Sequence, residues 1–180
     1  LRRDWASYQA GVVRALTPRL SEQERAPLRI IVATYVGNSE SVRDNWAENV
    51  QKLRENGASD RFDFAFFHYD GSNSLYEAED WYRHPSVKVR HVGTGCPSMF
   101  WRMLDVPMVT QYDYVWLSDG DMNLGFFSWD LYRTVLARLQ PMISQPAIVP
   151  ISAGLRASDV LQLNMRAEAR SGGLVIAREA

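Results

Sequence analysis

The chain of 180 residues carries one cysteine, Cys96. A single thiol excludes an internal disulfide framework and any multi-cysteine zinc site. Long apolar runs are also missing: none approaches the roughly 18 residues a membrane span needs. A signal peptide could precede Leu1, and a membrane anchor is expected only outside this sequence. Net charge is nearly absent, with 20 Lys and Arg against 21 Asp and Glu and a formal charge of −1. That balance argues against a nucleic-acid module, which works by neutralising phosphates. There is no G-x-x-x-x-G-K-[ST] phosphate loop and no G-x-S-x-G nucleophile turn. Gly93-Thr94-Gly95 lacks the third glycine of a dinucleotide fingerprint, because Ser98 stands in its place. Internal repeats and low-complexity tracts are absent too. What the chain does have is an apolar fraction of 46%. That is enough for a buried core, in a length that suits one domain or a large part of one.

Hydrophobic spacing divides the chain into alternating elements. Trp5, Tyr8, Val12, Leu16 and Leu20 recur at mostly four-residue intervals and predict an amphipathic helix. A charged connector, Ser21 to Arg25, follows and closes at Pro27, so residues 1–27 are expected as helix and connector and 28–180 as one α/β domain. Leu28 to Tyr35 is apolar and rich in β-branched residues, a strand buried on both faces. Val42, Trp46, Val50 and Leu53 form one helical stripe; Asn38 or Ser39 can cap its start and Gly57 its end. Further strands are expected at Phe62–Tyr69, Val87–Val92, Tyr112–Leu117 and Ala147–Ile151. A helix is expected over Met99–Leu104, stopping before Pro107. Another should run from Ser128 to Leu139, with Leu131, Val135, Leu136 and Leu139 inward. This alternation predicts an α/β fold: a mostly parallel, Rossmann-like sheet with helices on both faces. Ligands of such sheets bind beyond the carboxyl ends of the strands, where the chain order reverses.

The residues at those ends carry the chemistry. Tyr112 to Leu117 leads into Ser118-Asp119-Gly120-Asp121-Met122. In extended backbone, residues i and i+2 point to the same side, so Asp119 and Asp121 could share one hard cation. Mg²⁺ and Mn²⁺ take oxygen ligands and leave positions for substrate phosphates. Gly120, with no side chain, would let a diphosphate approach the backbone. The spacing alone is common, and a solvated Asp-Gly turn is the plain alternative. Thr34, Tyr35, His68, Tyr69 and Asp70 end the first two strands. A tyrosine there can stack on a base, and an aspartate can accept from a base N–H or a ribose hydroxyl. Tyr69-Asp70-Gly71 also suits an ordinary turn. His68, His84 and His91 read as structural, Trp46, Trp101 and Trp116 as core, and Met99 and Met103 as packing. Trp81 and Trp129, near loops, are the tryptophans with a route to ligand.

Phe67-His68-Tyr69-Asp70-Gly71, Tyr112-Asp113-Tyr114, Asp119-x-Asp121 and Ile143-Ser144-Gln145-Pro146-Ala147 resemble, in order and spacing, the domain-of-unknown-function 707 family. Phe127 and Tyr132 fall at positions of family aromatics. The family's typical strand end reads Trp-Asp-Glu-Asp-Leu; here both carboxylates are kept. The resemblance covers roughly residues 28–150 and implies a glycosyltransferase-like domain of the GT-A fold, of which this chain is the first part. By that resemblance Asp119 and Asp121 hold Mn²⁺ or Mg²⁺, and Thr34, Tyr35, Asp70 and Gly120 line the site of a nucleotide-sugar donor. The acceptor would be a glycan or another hydroxyl compound, and in a eukaryote the location would be the Golgi or another secretory lumen. Two readings stand beside it: a non-catalytic nucleotide- or glycan-binding form of the fold, and a phosphatase of the haloacid-dehalogenase type. The latter also uses D-x-D, but on the first strand.

Overall fold

The computed structural model describes residues 26–55, 59–125, 127–144 and 146. The helix expected over 5–20, the strand expected at 147–151 and the capping Gly57 lie outside them. Two compact units divide the chain, Ala26–Trp129 and a second made of Leu1–Arg25 with Asp130–Ala180. The first carries the sheet. Strands β1 (Arg29–Val36), β2 (Arg61–His68), β3 (Val87–Val92) and β4 (Tyr114–Ser118) are all parallel, in the order β3-β2-β1-β4. This is the α/β architecture that the alternation implies.

β1 forms the middle of the sheet because nearly every side chain along it is apolar; Ile30 to Thr34 and Val36 are buried. Its alternation sends Ile30, Val32, Thr34 and Val36 to one face and Ile31, Ala33 and Tyr35 to the other. Helix α1 (Glu40–Glu55) covers the first face. Trp46, Val50 and Leu53 of the expected stripe are fully buried, and the Trp46 ring meets Phe66 of β2 edge-on at 5.5 Å. On the second face Ile31, Ala33, Ala65 and Phe67 pack with Phe100. Short helices α2 (Asp80–Arg83), α3 (Pro97–Trp101) and α4 (Val106–Val109) complete this unit.

Several local expectations change. The helix expected over Met99–Leu104 ends at Trp101, and Pro107 opens the next helix instead of standing beyond one. In α3 and α4 the proline stands in the first two positions, where the missing N–H would have had no helical partner. Asp105 caps α4, its Oδ1 accepting from the Met108 N–H at 2.8 Å. Met99 and Met103 are about half exposed, because the helix is too short to turn both inward. β4 lies at the edge among the described strands, so Trp116 is only half-buried, against Phe127 at 5.1 Å. Trp129 and Trp81 pack inside. The Trp129 indole is buried on Phe62 and donates to Asp60 Oδ2 at 2.7 Å, and Trp81 sits among Phe66, Tyr76 and Tyr82. Helix α5 (Trp129–Leu139) starts beside Ser128 as expected; Leu136 is buried, whereas Leu139 in the last turn is exposed.

His68 ends β2, fully buried, with Nε2 sharing a 2.9 Å hydrogen bond with the Tyr82 hydroxyl. Burial pushes its imidazole from 6.5 down to about 4, against an opposing pull from Asp70. Between those values the unfolded chain takes up a proton that the folded chain refuses, so stability falls as pH falls. From about pH 7 to about pH 5 this group is expected to remove about 2 kcal/mol of unfolding free energy. Urea denaturation at both pH values reads the loss. His68→Phe should flatten the pH dependence by that amount, and an unchanged slope would contradict this assignment.

Candidate functional site

The chain runs from β1 outward through β2 and β3, then returns to place β4 on the other side of β1. The strand order therefore reverses between β1 and β4, which is where an open parallel sheet forms its binding crevice. Tyr35 stands at one lip, and Asp119-Gly120-Asp121 at the other. Ser118 is the last residue of β4 to pair with β1, opposite Thr34, so Asp119 comes level with Tyr35. The Tyr35 hydroxyl donates to Asp119 Oδ1 at 2.9 Å. Burial first, then the Asp119 hydrogen bond and charge, then the Asp121 charge push the Tyr35 phenol up to about 12. Both aspartates are exposed, and no hydrogen bond or ion pair among the described residues holds the Asp121 carboxylate. The backbone that carries them is not extended. It turns, with the Met122 N–H meeting the Asp119 carbonyl at 3.3 Å, so the two acids stand on a turn and not on extended strand.

Gly120 has a steric reason of its own. A β-carbon there would stand 2.2 Å from the Tyr35 carbonyl oxygen. The close neighbour that Gly120 admits is therefore the β1 backbone itself. From the other side α1 grips the same loop. Trp46 Nε1 donates to the Gly120 carbonyl at 2.8 Å. Asn45 and Asn49 both donate to the Met122 carbonyl at 2.7 Å, and the Leu124 N–H donates back to Asn49 Oδ1 at 2.9 Å. Lys52 Nζ reaches the Gly125 carbonyl at 2.9 Å. These are four helix side chains on one six-residue stretch, residues 120–125, and three of them are polar residues that the apolar stripe passes over. Their signal in the sequence is faint: Asn45 and Asn49 lie one turn apart beside Trp46.

The remaining expected residues separate. Thr34 is fully buried on the opposite face of β1 from Tyr35, so it does not open on the crevice. Asp70 lies near it, but its Oδ2 accepts from the Asn38 N–H at 2.5 Å and so ties down the loop after β1. Gly71 then turns at φ 77°, in the region that favours glycine. Two aromatic rings flank Tyr35: Tyr69 at 6.1 Å and Trp101 at 6.0 Å. Tyr69 is 42% exposed and offers the open ring at this mouth. Trp101, read from sequence as core, is instead a half-buried wall of the site.

Among the described residues no group of three or more His, Cys, Asp and Glu side chains gathers. Two exposed carboxylates on a turn fit the donor chemistry of a hydrated Mg²⁺ or Mn²⁺ that also takes substrate phosphates, and do not fit a closed zinc site. A separate cavity of about 450 Å³ opens at the amino ends of β1 and β2, lined in part by Arg29, Asp63, Lys88 and Tyr112. Its polar groups satisfy one another: Tyr112 donates to Asp63 at 2.8 Å, Lys88 lies 3.8 Å from Asp63, and the Arg29 guanidinium stands 5.2 Å over the Tyr112 ring.

The chain matches, over residues 9–170, the family model described as "Protein of unknown function (DUF707)". Searches of curated proteins and of solved structures returned no match.

Proposed function

Since the chain belongs to the DUF707 family of proteins of unknown function, its chemistry has to be read from the residues themselves, and we propose that it is the donor-binding part of a metal-dependent glycosyltransferase. The observation that carries this reading is the position of the acid pair. Asp119 and Asp121 lie beyond the carboxyl end of β4, at the reversal of strand order, and Asp119 accepts from the Tyr35 hydroxyl. Asp119 and Asp121 would hold Mn²⁺ or Mg²⁺, which when bound neutralises charge on a diphosphate leaving group. The exposed Tyr69 ring, level with this pair, suits stacking on the base of a nucleotide-sugar donor. Asp70, with one oxygen engaged by Asn38, keeps lone pairs for a ribose hydroxyl. A hydroxyl acceptor would then attack the anomeric carbon as the bond to the diphosphate breaks. The pair ends the fourth strand, whereas the phosphatase alternative needs it on the first.

Donor hydrolysis without acceptor tests the proposal. Incubated with UDP-sugars or GDP-sugars and Mn²⁺, the chain is expected to release UDP or GDP slowly, and Asp121→Ala to release none. Nucleotide binding without any release would favour a non-catalytic binding domain, and a phosphorylated Asp119 would favour the phosphatase.

A further inference from the structure

Resting on that reading, we propose that Tyr35 is a positioning residue for the divalent cation: its hydroxyl, fixed at the end of β1, orients the Asp119 carboxylate that is to share the ion with Asp121. The two acids differ in a way the sequence does not show. Asp119 Oδ1 is held by Tyr35 at 2.9 Å, whereas the Asp121 carboxylate is held by no described residue. A carboxylate on an exposed turn samples several rotamers, and ordering it on a cation has an entropic cost. For Asp119 the folded chain has already met that cost. Oδ1 takes the hydroxyl, which leaves Oδ2 and the remaining lone pairs for a metal. The support behind the hydroxyl is rigid. Tyr35 sits in the central strand, its ring is flanked by Tyr69 and Trp101, and its carbonyl lies against Gly120. Hydrogen-bond partners of metal-binding carboxylates typically contribute 10–100-fold in affinity.

Mn²⁺ titration of the purified chain, followed by electron paramagnetic resonance, tests this without any turnover. Tyr35→Phe keeps the ring and removes one oxygen. It is expected to weaken Mn²⁺ binding about ten-fold. A second reading needs no folded variant at position 35. Mn²⁺ should give the unaltered chain a near-ultraviolet tyrosine difference spectrum, because the ion and the phenol share one carboxylate. That spectrum should persist in Tyr112→Phe, at the far end of the sheet, and vanish in Asp119→Ala. If the unaltered chain binds no Mn²⁺, the proposed function falls and this inference with it. Normal binding together with an unchanged affinity in Tyr35→Phe, or with no difference spectrum, overturns the inference alone.

Discussion

Trp46→Ala is expected to lower the unfolding free energy by about 3–5 kcal/mol, the range for removing a buried large aromatic. Trp46 is fully buried between α1 and the sheet, edge-on to Phe66. Few neighbours can move into the space it leaves, because interiors are close-packed. A domain of ordinary stability has about 5–15 kcal/mol in all, so this one change removes a large share of it. Urea or thermal unfolding followed by circular dichroism measures the loss; a change below about 1 kcal/mol would show that the indole is not the anchor of this layer. Trp46→Phe separates packing from the polar contact. It keeps most of the ring but leaves the Gly120 carbonyl without its indole donor, at an expected cost of about 1–3 kcal/mol. Because that carbonyl belongs to the turn of Asp119 and Asp121, the effect reaches the site as well as the core.

Local patterns forecast much of this molecule. β1 and β3 follow from apolar and β-branched runs, and α1 from the spacing of Trp46, Val50 and Leu53. The acid pair is conspicuous because an apolar strand runs straight into it. What periodicity does not report is which strand lies beside which. Gly120 needs to be glycine only because β4 returns to β1, which brings Tyr35 against a loop whose Asp119 lies 84 residues away in sequence. The grip of Asn45, Asn49 and Lys52 on residues 122–125 spans more than 70 positions and obeys no local rule. Edge position likewise accounts for the half-exposed Trp116, which an apolar run alone presents as core. Thr34 and Tyr35 illustrate the finer grain: neighbours in sequence point to opposite faces, so only one of them reaches the crevice. Trp129 and Trp81 show the converse, since a position near a loop says nothing about which way a large ring turns.

On the proposed function, Asp119 and Asp121 join a divalent ion to a nucleoside diphosphate at the β1–β4 reversal. Isothermal titration calorimetry with UDP and with GDP, each in Mn²⁺ and again in excess chelator, asks this directly. Saturable heat is expected for one of the nucleotides in Mn²⁺, none in chelator, and none for Asp121→Ala whose circular dichroism matches the parent. Equal binding with and without the metal, or undiminished binding by that variant, would contradict it.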